Sequence, residues 1–299
     1  MAIEDFFDLP EHQARRFLST WPTIARALKH NIPSDDLLDQ MVERLERDNV
    51  RLVGVNDPHY PARLLGDLGF DAPTFLYVLG RLGHLRSPTI AMVGTLDPSP
   101  QGLESAHAYA SALALEGVHV VSGHARGVDV ASHEGALAAG GSTTLVLPRG
   151  IFTFQLAPSL GHLVTHDNTL ILSQFAPEAA ARANLPILRN TTIAALADGL
   201  IVVESGLVGG SSYAFREARR LQKPLWTIIY PDPVPPSAAG NHSLLSAGAE
   251  PLESGREGAE RCIVRIMRRL RAAHSHRRAS AAWPPCDLSG QEDLFETKP

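Results

Sequence analysis

Three short segments combine glycines with hydroxyl or cationic side chains at points where an apolar run ends. They are VGTLDPSPQG (93–102), SGHARGVD (122–129) and GLVGGSSY (206–213). A glycine turn between a strand and a helix exposes backbone N–H groups beside the positive end of the helix dipole. This arrangement favours anions, most often phosphates. The three segments therefore predict a site for a phosphate-bearing ligand.

A fourth segment, LRNTTIAALADGLIVVES (188–205), places Arg189 and Asn190 at a loop–helix junction. A guanidinium group beside an amide is suited to contact a phosphate or a base. Together the four segments and the start of the next strand supply the candidate ligand-binding residues. These are Gly94, Thr95, Ser99, Gly102, Ser122, Gly123, Arg126, Gly127, Asp129, Arg189, Asn190, Glu204, Gly209, Gly210, Ser211 and Lys223.

Several of these residues have a second interpretation. Arg126 either meets an anion or pairs with Asp129, and Asp129 suits a helix N-cap better than chemistry. Glu204 either positions a ribose hydroxyl or, with Arg189, braces the end of the sheet. No combination of nucleophile, base and orienting group is recognisable. We therefore predict no catalytic residue and favour a binding protein over an enzyme.

The elements that would position these residues alternate between short apolar runs and helical windows from Thr89 onward. This alternation indicates βαβ units. It predicts an α/β fold with a Rossmann-like, doubly wound, mostly parallel sheet, whose ligand lies at the carboxyl ends of the strands. The strand candidates are 90–93, 118–121, 143–147, 170–172, 200–203 and 225–229, and the helix candidates are 101–115, 129–139, 188–195 and 213–221.

Around this core the chain divides by composition into five parts. We expect a helical N-terminal module (1–50), a lead-in that packs on the core (51–88), the Rossmann-like core (89–232), a linker with a basic amphipathic helix (233–273), and a disordered tail (274–299). Within the fourth part the helix is predicted over 257–273.

Composition limits the function classes. The 299 residues carry a net charge of −5, so any nucleic-acid binding must come from a local patch. The two cysteines, Cys262 and Cys286, do not form a metal-type pair, and we predict no metal site and no cofactor. The sequence has no signal-peptide pattern and no apolar run of membrane-spanning length, which favours a cytoplasmic protein.

The segment 122–143 closely resembles the signature of the DprA/Smf family of DNA-processing proteins. Further similarity covers about residues 55–230, including an RN pair at Arg189 and Asn190. The matches to the signature are Ser122, Gly123, Ala125, Gly127, Val128, Asp129, His133, Ala136, Leu137, Gly141 and Thr143. The resemblance implies a protein that binds and protects single-stranded DNA and delivers it to a RecA-type recombinase, in DNA uptake or recombination. It also implies a homodimer.

The chain departs from the family pattern in ways that keep an alternative open. Leu96 stands where the family has an arginine thought to grip the DNA backbone, and residues 151–180 contain no lysine or arginine. Lys223 occupies the position of another family arginine. Reduced positive charge suits a compact ligand, as in the LOG-type proteins of similar fold. The alternative is thus a nucleotide or nucleotide-signal binder, or an N-glycosidic hydrolase. A third possibility is a scaffold that has kept the fold and lost both activities.

The C-terminal tail contains one more motif. Gln291, Leu294 and Phe295 resemble the short Q-x-x-L-F peptide by which many bacterial DNA enzymes dock on the replication sliding clamp. The motif makes the clamp a candidate partner, against the alternative of an acidic tail without a binding role.

Overall fold

A computed structural model describes residues 35–280, with side chains described over 36–275. By internal contacts the chain divides into two compact units, residues 1–50 and 51–299. The described part of the first unit contains one helix, α1 (Asp35–Arg47), which lies within the predicted helical module. Leu37 and Leu38 on this helix are exposed.

The second unit is built on a nine-stranded sheet with the order β1-β2-β6-β5-β4-β3-β7-β8-β9. In the sheet order from β6 to β9 all neighbouring strands are parallel, while β1 and β2 add an antiparallel pair of strands at the β6 end. The strands are β1 (Arg51–Gly54), β2 (Phe75–Gly80), β3 (Thr89–Val93), β4 (His119–Ser122), β5 (Thr143–Val146), β6 (Thr169–Ser173), β7 (Gly199–Val202), β8 (Leu225–Ile229) and β9 (Glu250–Glu253).

Strand β3 shows why the sheet is covered on both faces. All five of its residues are buried. Side chains alternate between the two faces of a strand, so Ile90 and Met92 enter one hydrophobic core while Ala91 and Val93 enter the other. A continuous apolar run of this kind is typical of a parallel strand between two helix layers.

Helices α3, α4 and α8 supply one core, and α2, α5, α6 and α7 supply the other. Their bounds are α2 (Ala62–Leu68), α3 (Pro100–Leu115), α4 (Val128–Ala138), α5 (Leu185–Leu196), α6 (Gly210–Arg220), α7 (Asn241–Ser246) and α8 (Gly255–Ser280). Five short 3₁₀ turns lie at 69–71, 82–86, 151–153, 158–160 and 236–238.

The predicted fold class is confirmed: the protein is an α/β molecule with a mostly parallel, doubly wound sheet. One stretch differs from expectation. Residues 233–256 were predicted to be a linker, but they contain α7 and β9, and β9 extends the sheet by pairing in parallel with β8. The basic helix is also longer than the predicted 257–273, because α8 runs from Gly255 to Ser280. Residues 274–280 are therefore helical, although they were assigned to the disordered tail.

A buried carboxylate joins distant parts of the chain at the amino edge of the sheet. Asp198 precedes β7 and accepts a hydrogen bond from the Thr89 backbone N–H (2.9 Å). The same oxygen lies 3.1 Å from Arg63 Nη2 of α2 and 3.0 Å from His274 Nδ1 of α8. This contact fixes both helices to the start of β3.

Candidate functional site

The loops that follow β3, β4 and β7 meet at the carboxyl edge of the sheet. The Thr95 N–H donates to the carbonyl of Glu204 (2.8 Å), and the Thr95 carbonyl accepts from Val128 N–H (3.3 Å). Strand order reverses between β3 and β7, which is where open α/β sheets bind ligands. We call the three segments the first loop (94–102), the second loop (122–129) and the third loop (205–212).

The first loop already holds an anion of the protein itself. The Glu204 carboxylate is buried and accepts hydrogen bonds from the Ser99 N–H (2.9 Å) and the Ser99 hydroxyl (2.5 Å). Ser99 in turn caps α3 by accepting from Gly102 N–H (3.0 Å). A Cβ on Gly102 would lie 2.5 Å from the Glu204 carboxylate. Glu204 therefore stabilises the N-terminus of α3, where the sequence suggested a cradle for phosphate.

The second loop is arranged in the same way around Asp129. This buried carboxylate accepts a hydrogen bond from Ala125 N–H (3.2 Å). Burial raises the pKa of Asp129, opposed by the nearby charge of Arg189 and by hydrogen bonds from Ala125, Ser122 and Gly123. Asp129 is the second residue of α4, whose N-cap is Gly127, so the interpretation of Asp129 as the N-cap is wrong. Its carboxylate is instead an anion of the chain itself within the second loop.

Arg189 lies inside the protein beneath the second loop. Its Nη1 donates to the Val146 carbonyl (2.8 Å), and its Nε has no hydrogen-bond partner among the described residues. Burial lowers the pKa of Arg189, while the charge of Asp129 acts in the opposite direction. A Cβ on Gly123 would overlap the Arg189 guanidinium, so a larger residue there would force this buried, hydrogen-bonded group to move. The interpretation of Arg189 as a brace at the end of the sheet agrees with this placement.

Arg126 is exposed and pairs with Asp97 rather than with Asp129, so the alternative interpretation of Arg126 as the partner of Asp129 is wrong. Its two terminal nitrogens lie 2.8 and 2.9 Å from the two carboxylate oxygens of Asp97. Gly127 allows the first and second loops to touch. Its φ is +82°, and a Cβ there would lie 2.5 Å from the Leu96 carbonyl oxygen. Gly94 packs tightly against Val128 in the same contact.

The third loop differs from the other two because its hydrogen bonds run between neutral groups. The Ser205 hydroxyl lies 2.9 Å from that of Ser211 and 3.1 Å from that of Ser212. Asn190 of α5 donates to the Gly210 carbonyl (2.9 Å). Gly209 is exposed, has a φ of +155°, and a Cβ there would meet nothing within 4 Å. The third loop leads into α6, whose first turn contains no acidic residue.

Two residues beside the third loop were not predicted from the sequence. The Arg216 guanidinium carbon lies 5.7 Å from the centre of the Tyr213 ring, and the Tyr213 hydroxyl lies 3.3 Å from Thr191 Oγ1. An arginine over an aromatic ring offers both positive charge and a flat face. The signal that could have found them is the spacing of three residues on one helix face.

Arg149 is another residue that the sequence reasoning missed. It follows β5 and is half-buried near His124, whose pKa burial lowers to about 4, with Arg189 and Arg149 adding to the effect. His124 has a φ of +59°, accepts a hydrogen bond from Ala157 N–H (3.0 Å), and contacts the Phe154 ring edge-on. Its position directly after a parallel strand could have identified Arg149.

Lys223 lies away from the other candidate residues, so its assignment to the ligand site is wrong. It precedes β8 and therefore lies at the amino edge of the sheet. Its buried ammonium group donates to the carbonyls of Ala194, Ala195 and Ala197 and pairs with Asp67 (2.8 Å). Lys223 thus caps the C-terminus of α5, where a positive charge is stabilising.

Other predictions concern absent features or lie outside the described residues. Among the residues that the structure describes, no group of three or more histidine, cysteine or acidic side chains could hold a metal ion. No helix in that same part of the chain is long and apolar enough to cross a membrane. The tail motif of Gln291, Leu294 and Phe295 lies beyond the described residues.

Comparison with known proteins gives one family match. Residues 51–262 match the model of the DNA recombination-mediator protein A family. The chain is 32% identical to the Smf protein of Escherichia coli over 213 residues, which are 69% of this chain and 54% of that protein. It is 33% identical to the DNA processing protein DprA of Streptococcus pneumoniae over 192 residues, 63% of this chain and 66% of that protein. It therefore spans little more than half to two thirds of these relatives.

Two solved structures are similar. The crystal structure of DprA from Streptococcus pneumoniae superposes with a TM-score of 0.63 and 27% identity, covering 72% of this chain and 76% of that one. A DprA structure from Helicobacter pylori superposes with a TM-score of 0.57 and 26% identity, covering 68% and 90%. The latter was determined to describe how that protein binds single-stranded DNA.

Proposed function

The chain belongs to the DNA recombination-mediator protein A family, and from this premise we propose that it binds single-stranded DNA at the carboxyl edge of its sheet. The proposal places a phosphate of the strand on the third loop. Its support is the family match over residues 51–262 together with the geometry of that loop. We further propose that the protein acts in DNA processing and recombination without catalysing a reaction.

The observation that carries the proposal is the difference between the third loop and the other two. The carboxylates of Glu204 and Asp129 accept hydrogen bonds from N–H groups of the first and second loops. The third loop has exposed glycines, hydroxyl groups and the N-terminus of an eleven-residue helix. Free N–H groups at a helix N-terminus attract phosphate oxygens. Gly209, Gly210 and Ser211 are therefore the predicted residues that we retain as direct contacts.

The remaining predicted residues are proposed to shape the site instead of contacting the ligand. Asn190 holds the third loop through Gly210, and Arg189 supports the second loop from below. Positive charge at the surface comes from Arg216, since Arg126 is neutralised by Asp97. Leu96 also contributes no charge. We therefore expect this site to make fewer phosphate contacts than a site that carries the family arginine.

Partner proteins are proposed on the family resemblance and on the tail motif. A strand held at one edge of the sheet leaves the rest of the strand free for a RecA-type recombinase. The family resemblance favours a homodimer, and Gln291, Leu294 and Phe295 suit docking on a sliding clamp. We also propose a cytoplasmic location, where DNA and these partners are found.

A second function has one specific observation in its favour. With two of the three glycine loops filled by carboxylates of the chain, a single loop remains to hold phosphate. One such loop suits a nucleotide or a nucleotide-derived signal as well as one unit of a strand. In that alternative the protein is a nucleotide binder resembling the LOG-type proteins.

The test is binding of a fluorescent oligo-dT strand across a salt series. Arg216→Ala should weaken binding about tenfold, because it removes a charge-assisted contact. It should also reduce the slope of log K against log salt by about 0.7, the value for one phosphate of a single strand. Arg86→Ala is the matched control: Arg86 is also exposed but lies at the opposite edge of the sheet.

Equal binding by the two variants would contradict the proposed position of the site. No binding by the unaltered protein at low salt would refute single-stranded DNA as the ligand. Thermal stabilisation by a mononucleotide or dinucleotide would then establish the alternative.

A further inference from the structure

The third loop is flanked by exposed apolar side chains. Leu207 and Val208 in the loop are 73% and 92% exposed, Leu96 in the first loop is 50% exposed, and Ile187 at the start of α5 is 44% exposed. We call these four residues the apolar rim. Single exposed apolar residues are ordinary on a protein surface, whereas several around one site indicate a contact surface.

Backbone and side-chain contacts place the rim residues around the same loop. The hydrogen bond from Thr95 N–H to the Glu204 carbonyl joins the two segments that carry Leu96 and Leu207. Asn190 reaches the third loop through Gly210. Ile187 precedes Asn190 by three residues in α5, so the two side chains share a helix face. Ile187 is therefore on the side of α5 that faces the third loop.

The charges next to Leu96 cancel. Asp97 follows Leu96 directly and is paired through both oxygens with Arg126. The rim thus presents hydrocarbon beside a loop of amides and hydroxyl groups. A nucleotide unit is complementary to this surface. Its anionic phosphate matches the amides and hydroxyl groups of the loop, and the apolar face of its base matches the hydrocarbon of the rim.

We propose that the apolar rim binds the bases of the strand whose phosphate lies on the third loop. This inference rests on the proposed function and adds a second kind of contact to it. Contacts with base faces are insensitive to salt and tolerate any sequence, while phosphate contacts weaken as salt increases. Such contacts offset the loss of the arginine that the family has at the position of Leu96. Bases paired in a duplex are stacked inside, so the rim also favours single strands.

The experiment compares two strands and two protein variants. Oligo-dT and an abasic strand of equal length are titrated with the unaltered protein and with the double variant Leu207→Ser/Val208→Ser. Val264→Ser is the control, since Val264 is 76% exposed on α8. The double variant should bind oligo-dT at least fivefold more weakly, with an unchanged salt slope, because it removes two aliphatic side chains whose apolar surface a base would cover. Its affinity for the abasic strand should equal that of the unaltered protein.

Each other result contradicts the inference in a recognisable way. An equal loss on both strands would show that the rim does not contact bases, and no loss on oligo-dT would show that it takes no part in binding. If the unaltered protein binds neither strand, the proposed function itself fails. Circular dichroism of the double variant verifies its fold, and both substituted residues are at the surface.

Discussion

The second and third loops of the carboxyl edge have similar sequences but different roles. Both place glycines and a serine between a strand and a helix. In the second loop a buried aspartate accepts the amide hydrogen bonds and a buried arginine fills the space below Gly123. In the third loop Gly209 and Gly210 are exposed and the hydroxyl groups contact one another. A glycine loop thus indicates that an anion is bound, and only its surroundings show whether the anion is internal or external.

The largest effect that follows from this comparison concerns stability. Gly123→Ala forces a methyl group into the Arg189 guanidinium, so we expect the free energy of unfolding to fall by about 3 kcal/mol or more. Gly206→Ala in the third loop is the control, because a Cβ there would meet only the Val208 carbonyl oxygen at 3.7 Å. Urea unfolding measures both. Similar losses in the two variants would show that the second loop is no more tightly packed than the third.

A smaller loss is expected when the internal anion of the first loop is neutralised. Glu204→Gln keeps the shape of the side chain but removes the charge that accepts hydrogen bonds from Ser99. The free energy of unfolding should fall by about 1 to 3 kcal/mol. Binding of oligo-dT by the folded variant should be unchanged, since the first loop is not the proposed phosphate site. Weaker binding of oligo-dT by a fully folded Glu204→Gln variant would show that Glu204 takes a direct part in binding.

The last expected effect is a dependence of stability on pH. Burial lowers the pKa of His124 to about 4, below the ordinary value near 6.5, so the folded protein keeps this ring neutral. The contribution of His124 to stability is present above pH 6.5 and is lost as the pH falls from 6.5 towards 4, because the unfolded chain takes up the proton first. Burial lowers the pKa of His84, His119 and His133 as well.

We therefore expect the melting temperature to fall between pH 7.5 and 5. The fall should be smaller in His124→Asn, which removes one titrating group. Asparagine tolerates the φ of +59°, but its side chain is too short to replace the hydrogen bond that His124 Nε2 accepts from the Ala157 N–H. The comparison is therefore of the change in melting temperature with pH, not of its value at one pH. Parallel curves for the two proteins would show that His124 does not contribute.

Much of the core could be predicted from the sequence. The buried strands are continuous apolar runs that end on turn residues, as in β3 and β7, and helices follow them at regular spacing. Strand β9 was missed because its four residues, Glu-Pro-Leu-Glu, have only one apolar aliphatic side chain and read as a turn. Its place in the sheet depends on pairing with β8, which is a tertiary effect.

The site was harder to predict because its decisive contacts join distant residues. Ser99 and Glu204 are 105 positions apart, and nothing in either segment indicates that the Glu204 carboxylate accepts the hydrogen bonds of Ser99. The misplacement of Lys223, in contrast, was avoidable. In a parallel sheet, residues before a strand and residues after it lie at opposite edges, so a lysine that precedes β8 cannot face loops that follow β3 and β7.

The Asp198 contact has a consequence for the order in which the protein is made. Synthesis begins at the amino end, so Arg63 and Thr89 leave the ribosome before Asp198, whereas His274 emerges 76 residues after it. Until then one partner of this buried carboxylate is missing, and α8 cannot cover its side of the sheet. The growing chain therefore exposes an apolar face of the sheet until α8 arrives, a period in which it is open to aggregation or to chaperones.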